Sequence, residues 1–420
     1  MQPGQVHTIQ QHVEVNYDFP VHFTDNAFSI DNPIIRDLCK PSEGRSAAKV
    51  LVVLDAGVSD ANPTMIGDIR AYFSAKDSLA ELVQEPLLTS GGEAIKNDLT
   101  SVSEILTAIE HHGIDRHSYV IAIGGGAVLD MAGFAAAIAH RGVRLIRLPT
   151  TVLSQGDSGV GVKNSVNMFG KKNFVGTFAP PYAVVNDIQL LTRLPERDWL
   201  GGISEAVKVS LLKDADFFAY LEEHAEDLVA RDLEAMRWVV FRSAELHMHH
   251  IATSGDAFEF GTSRPLDFGH WSAHKLEQIS NYRWRHGEAV SIGIALDSTY
   301  AYLEGMLPEA DWKRIIQVFR SLNLPIFAEE FITHQTQTED GNLAILAGLN
   351  EFREHLGGQL TIMLLHGIAQ GVEVHEMNER QIVKSIELLR DMEVSRSQEM
   401  EKNHGGERQE QLSSFPAGTH

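Results

Sequence analysis

The stretch SYVIAIGGGAVLDMAGFAAAIAHRG (118–142) constrains the fold more than any other. A β-branched apolar run passes through Gly124, Gly125 and Gly126 into an alanine-rich segment. An unbroken apolar run implies a strand covered on both faces, as in a parallel sheet, and the glycines suit a tight strand-to-helix turn. The pattern recurs in KVLVVLDAG (49–57), PLLTSGGEAIKN (86–97), VRLIRLPTT (143–151) and YAVVND (182–187), with a helical stretch around 100–112. Such alternation predicts an α/β domain with a Rossmann-like parallel sheet. It is expected to span 19–194, after a polar lead-in over 1–18. From 195 to 392 the periodicity is helical and predicts an all-α second domain. Residues 393–420 are polar and without periodicity, and are expected to form a disordered tail.

The chain has 420 residues and a net charge of −22, which excludes a general nucleic-acid binder but not a local pocket for an anionic substrate. Its single cysteine, Cys39, cannot form an intramolecular disulfide or a thiolate site, so any metal must rest on histidine and carboxylate. The N-terminus lacks a signal-peptide pattern and no apolar run reaches about 18 residues. The expected location is cytoplasmic, with no membrane partner.

Three regions carry chemistry. The first is the glycine loop, where free N–H groups at a helix N-terminus suit a pyrophosphate. It is not the GxGxxG fingerprint, and a plain tight turn would use the same residues. Asp55 at the end of an earlier strand could accept ribose hydroxyls, and Glu93 and Lys96 form a second contact loop. The second region is PTTVLSQGDSGVGVKNSVNMFGKKNFVGTFAPP (149–181), too long and polar for a plain connector. Thr150 and Thr151 follow a strand directly. Asp157 suits sugar hydroxyls, whereas Lys163, Lys171, Lys172 and Asn173 suit a phosphate.

The third region is DFGHWSAHKLEQISNYRWRHGE (267–288), which concentrates Asp267, His270, His274, His286 and Glu288. Glu205 and Lys208 share one face of a predicted helix, a spacing that a surface salt bridge would also use. Taken with His270 and His286, Glu205 completes a two-histidine, one-carboxylate set with open positions for substrate oxygens. His274, one turn from His270, faces the same cavity as an acid–base or phosphate-contacting group. His111, His112, His247 and His250 are taken as surface or satisfied core residues.

The chain from about 45 to 380 resembles the sugar phosphate cyclases, whose best-known member is 3-dehydroquinate synthase. The resemblance is carried by GGGAVLDMAGF, RG (141–142), PTTVLSQGDSGVGVK, KKNFVGTF, the E-x-x-K of Glu205 and Lys208, and GHWSAH followed by HGEAV. It implies NAD as a cofactor regenerated at every turnover, and a divalent metal, zinc or cobalt, in the cleft between the domains. By position, Glu205, His270 and His286 would bind metal, while Asp157, Lys208 and His274 would act on substrate hydroxyls and protons. Lys163 and Asn173 would hold the phosphate. Gly124, Gly125, Gly126, Asp130, Thr150, Thr151 and Lys172 would join Asp55, Glu93 and Lys96 as cofactor contacts. Arg141 would reach a partner subunit's site, which implies a homodimer. The implied reaction is transient alcohol oxidation, phosphate elimination, re-reduction and intramolecular aldol closure.

Departures from the family pattern bear on the substrate. Dehydroquinate synthases hold a substrate carboxylate with a lysine 21 residues before the first metal histidine and an arginine seven before it. Those slots read His249 and Ser263 here, with Arg264 one position off. The usual asparagine three before that histidine is Asp267, and Pro265 interrupts the segment. Added acid and lost lysine disfavour a carboxylate ligand. EFREHLGGQLTIMLL (351–365) is similar to the 2-epi-5-epi-valiolone synthase branch, with His355 replacing a phosphate-contacting lysine. That branch cyclises sedoheptulose 7-phosphate, which carries CH2OH in place of the carboxylate. The expected function is therefore a valiolone-type cyclase, with 3-dehydroquinate synthase as the alternative. Metal-dependent polyol dehydrogenases of the same fold place a histidine four residues after their acidic ligand. Here Val209 follows Glu205 at that offset.

Overall fold

The computed structural model describes residues 6, 8–258, 265–332, 343–355 and 358–413. Seven strands, all paired in parallel, form the sheet of the first half: β1 (Val21–Thr24), β2 (Ala48–Asp55), β3 (Ala80–Leu82), β4 (Leu87–Thr89), β5 (Tyr119–Gly124), β6 (Arg144–Pro149) and β9 (Ala183–Asp187). Their order is β1-β9-β6-β5-β2-β3, with β4 continuing the β3 edge of β2. The period of two explains the apolar runs. Leu51 and Val53 of β2 enter one core, under the Thr100–His111 and Gly126–Ile138 helices. Val50, Val52 and Leu54 enter the opposite core, with the Met65–Phe73 helix. Both faces of the sheet are covered, so β2 and β5 are apolar along their middles. β6 carries the fully buried Arg147, which donates to the Gly159, Gly161 and Lys163 carbonyls and to Asn164 Oδ1.

Chain order runs outward from β2 in one direction to β3 and β4, then returns to β5 and continues to β6 and β9. The carboxyl ends of β2 and β5 thus flank the switch point where open α/β sheets bind ligands. Asp55 ends β2, Gly124 ends β5, and Gly124 pairs in register with Pro149 of β6. The glycine loop and the Thr150 loop are neighbours for that reason.

The stretch expected as a long loop contains structure of its own. A π-helical turn (Ser154–Ser158) leads into an antiparallel hairpin of β7 (Lys163–Met168) and β8 (Lys171–Phe178). Its polar strands hid it, because β8 is mostly exposed and has no apolar face to reveal its period.

The second half is helical and built on one large core. It is not all-α, since β10 (Ile362–Gly367) and β11 (Gln370–Val374) form an antiparallel hairpin whose inner residues Leu364 and Leu365 join that core. The final helix runs Glu379–Ser413, beyond the expected end at 392 and into the segment read as a disordered tail. A helix nucleated by packing at Ile382, Ile386 and Leu389 propagates readily through the Arg, Glu, Gln, Met and Lys of 390–402, whereas Gly405 and Gly406 further on disfavour it. No helix among the described residues is long and apolar enough to cross a membrane.

Candidate active site

Three helices converge on one point. Glu205 and Lys208 project from the Ile203–Lys213 helix, and both are almost fully buried. His270, His274 and Glu277 lie on one face of the His270–Ile279 helix, and His286 opens the His286–Leu303 helix. Oxygen and nitrogen atoms of Glu205, His270 and His286 lie within 4.8 Å of one another. Glu205 Oε1 is 3.5 Å from His270 Nε2 and 3.2 Å from His286 Nε2.

The outward ring nitrogens show why this set fits a cation. His270 Nδ1 lies 3.1 Å from the Phe268 carbonyl, which can only accept, so Nδ1 carries the proton and Nε2 presents its lone pair to Glu205. His286 Nδ1 lies 3.3 Å from Glu277 Oε2 in the same manner. Two imidazole lone pairs and a carboxylate oxygen facing each other repel unless a proton or a metal lies between them. A carboxylate or carbonyl behind each histidine also fixes its orientation as metal sites require. Burial opposes protonation of His286, but Glu277 and then Glu205 outweigh it and raise its pKa to about 9. That attraction for a positive charge is what a divalent ion would use.

Around this centre the charges are paired. Burial opposes ionisation of Glu205, yet Lys208 and His270 hold it well below the usual carboxylate range. Burial likewise opposes the Lys208 ammonium, and Glu205 with Asp157 raises its pKa. Lys208 Nζ touches Glu205 and lies 3.4 Å from Asp157 Oδ2, which the π-helical turn presents from the α/β half. His274 is held neutral, well below its usual value, by burial and then by His270 and Lys172. A neutral imidazole beside a cation centre is a proton acceptor. Lys172 of β8 bonds Glu277 at 3.0 Å, and Glu277 also belongs to a second group, with His274 and His286, whose ligand atoms lie within 4.8 Å of one another.

The cofactor residues expected from the sequence gather at the switch point. Asp55 is buried and accepts from the Gly57 N–H at 2.8 Å, and burial raises its carboxyl pKa. A Cβ on Gly126 would lie 2.7 Å from Ser158 Oγ, and one on Gly125 would lie 3.3 Å from Thr151. Side chains there would fill the cradle in front of the helix that Gly126 begins. Thr150 is buried, and its hydroxyl has no hydrogen-bond partner among the described residues. Lys96 is buried too, bonded to Asp130 at 2.7 Å and to Asn173, with Glu93 Oε1 at 3.8 Å. Ser165 donates to the same Asn173 oxygen at 2.9 Å, so the hairpin is tied to the glycine-loop helix through this network. Lys163 sits exposed at the start of β7.

Other residues fall elsewhere. Arg141 is exposed just beyond the far end of the Gly126–Ile138 helix, in the left-handed region at φ 61°. Glu288 caps its own helix through the Arg285 N–H at 2.9 Å and pairs with Arg197, so it takes no part in the centre. Asp267 lies in the short turn Pro265–Asp267, close enough to contribute to the raised Lys208 pKa. Arg264 and the His355 side chain lie outside the described residues.

Two site residues escaped the sequence reading. Glu277, seven residues after His270, looks like an ordinary helix former until the register places it behind His286. His247 was set aside as surface or core, while His249 was assigned to the substrate slot. The structure reverses them: His247 Nδ1 is 3.7 Å from Asp157 Oδ1, and His249 is exposed. On the Leu233–Thr253 helix, His247 continues the buried line of Val240, Ser243 and Ala244, and a residue two further on faces the opposite side.

The sheet, its switch-point crevice and the two-histidine, one-carboxylate centre define a class: a two-domain protein that brings a nucleotide-type cleft against a cation site. Residues 87–201 match the family model described as 3-dehydroquinate synthase N-terminal, and residues 202–340 the one described as 3-dehydroquinate synthase C-terminal. The chain belongs to the 3-dehydroquinate synthase family, among the sugar phosphate cyclases. It is 32% identical to a 3-dehydroquinate synthase of Shewanella sp. (strain MR-4), over 82% of this chain and 89% of that one. It is 37% identical to that of Geobacter sp. (strain M21), over 64% of this chain and 76% of the other. Its structure is similar to that of the 2-epi-5-epi-valiolone synthase from Streptomyces hygroscopicus subsp. jinggangensis 5008, which has NAD+ and Zn2+ bound. The TM-score is 0.79 at 29% identity, covering 92% of this chain and 99% of that one.

Proposed function

We propose that this protein is an NAD- and metal-dependent sugar phosphate cyclase acting on a heptulose 7-phosphate without a carboxylate, namely sedoheptulose 7-phosphate. The observation that carries the choice of substrate is the cleft wall beside Lys208. Asp157, His247 and Asp267 lie there, with Lys163 near His247, whose pKa is lowered chiefly by burial. Lys208 itself is neutralised by Glu205 and Asp157. A substrate carboxylate brought to this wall would meet the two acids Asp157 and Asp267, whereas a hydroxymethyl group could donate to Asp157. The similarity in structure to a valiolone synthase supports the same reading. The names of the curated relatives favour 3-dehydroquinate synthase as the second reading.

Glu205, His270 and His286 would hold the metal, and NAD would lie across the ends of β2 and β5. Together these groups supply Lewis acidity and a reversible hydride acceptor. Lys208 and Asp157 orient a substrate hydroxyl, and neutral His274 accepts a proton during the oxidation and elimination steps. Lys163 and Asn173, on the hairpin, hold the departing phosphate.

The test is a mass balance. Purified protein given zinc or cobalt and NAD+ should release phosphate from sedoheptulose 7-phosphate while net NADH stays at zero. Stoichiometric NADH from a simple polyol, with no phosphate released, would replace this reading with a polyol dehydrogenase.

A further inference from the structure

The turn that delivers His270 hangs from one carboxylate. Gly269, just before it, has φ 77° and donates its N–H to Asp297 Oδ2 at 3.0 Å. Trp271, just after it, donates its indole N–H to Asp297 Oδ1 at 2.8 Å. Asp297 is fully buried and Trp271 nearly so. Both flanks of His270 are therefore fixed by the two oxygens of a side chain that has no access to substrate.

Asp297 belongs to the His286–Leu303 helix, whose first residue is the other histidine of the centre. One turn closer to His286, the two backbones are in contact. A Cβ on Gly293 would lie 2.0 Å from the Gly269 carbonyl oxygen, and one on Gly269 would lie 2.7 Å from the Ile294 nitrogen. The His270 turn is thus pressed onto the helix at Gly293 and suspended from it at Asp297. A carboxylate is the group that accepts at both oxygens. An amide would set its NH2 against one of the two donors, leaving a buried N–H unpaired.

We propose that Asp297, acting through Trp271 and the Gly269 N–H, is a positioning residue that sets His270 against His286 and so fixes the geometry of the metal centre. This rests on the assignment of Glu205, His270 and His286 as the ligands. A buried carboxylate serving only the fold would stabilise the helix pair without altering what the centre does to a bound ion. Positioning residues behind metal ligands change affinity by about 10–100-fold.

The test titrates Co2+ into the full chain at about pH 8, where the Asp297 side chain is a carboxylate, with chelator competition for affinity and the visible d–d spectrum for geometry. Wild type is compared with Asp297→Asn, Trp271→Phe and His270→Ala, and circular dichroism checks folding. Asp297→Asn should bind Co2+ about tenfold or more weakly with a shifted spectrum, and Trp271→Phe should move the same way to a smaller extent. If Asp297→Asn does not fold, Trp271→Phe, which keeps most of the buried ring volume, decides the matter. Wild-type affinity and spectrum in the folded variants would overturn the proposal. If His270→Ala also binds like wild type, the ligand assignment itself has failed, a separate result.

Discussion

Glu205 carries three contacts at once, to Lys208, His270 and His286, and is the residue on which the centre depends most. Glu205→Ala or His270→Ala should abolish bound metal in purified protein, measured by elemental analysis. His274→Ala should keep the metal and lower turnover by about 10²–10⁴-fold, the usual range for a lost acid–base group. Loss of metal from His274→Ala would instead make it a ligand. Asp297 offers a test by pH. Burial raises its carboxyl from the usual 3.8 to about 7, against the N–H bonds from Trp271 and Gly269. The native state thus binds this proton more tightly than the unfolded chain, and the contribution to stability falls as pH rises between those values. Urea unfolding of wild type and Asp297→Asn at about pH 5 and about pH 8 should show a smaller decline for the variant. Parallel curves would contradict the shift. The convergence of Glu205, His270 and His286 could be anticipated from the sequence, because the histidines are crowded into one segment and the motifs match a family in order and spacing. The parts of Glu277 and His247 could not, since each acquires its role only from a partner brought by another element.

At the scale of elements, the centre depends on close helix crossings. A Cβ on Gly287 would lie 2.0 Å from the Gly201 carbonyl oxygen, where the Glu196–Gly201 helix meets the start of the His286–Leu303 helix. Gly287→Ala should force this crossing apart and destabilise the protein by about 1–3 kcal/mol, as overpacking does. An unchanged denaturation midpoint would show that the contact relaxes freely. The strands β2, β5, β6 and β9 were legible because burial on both faces leaves an apolar run. The β7–β8 hairpin was not, because its role is to carry Lys172 and Asn173 into a polar network, and polar strands on an exposed ribbon look like loop.

At the scale of the molecule, the division into an α/β half and a helical half followed from a change in period, whereas the β10–β11 hairpin was too short to alter that pattern. Arg141 lies beyond a 13-residue helix from the glycine loop, about 20 Å away along its axis. That placement supports a role in the site of a second copy. Arg141→Ala and Glu205→Ala, each inactive alone, should on mixing and subunit exchange recover about a quarter of wild-type activity, since random pairing gives half heterodimers with one intact site each. No recovery, with exchange verified, would place Arg141 in its own subunit's chemistry or in none.

The acid-lined wall of Asp157, His247 and Asp267 makes the substrate's missing carboxylate the central claim. Its most direct measurement is kcat/KM for phosphate release from sedoheptulose 7-phosphate and from 3-deoxy-arabino-heptulosonate 7-phosphate, in the same preparation with NAD+ and zinc. The wall predicts turnover of the first and little or none of the second. Turnover of the carboxylate-bearing sugar alone would contradict it and establish a 3-dehydroquinate synthase.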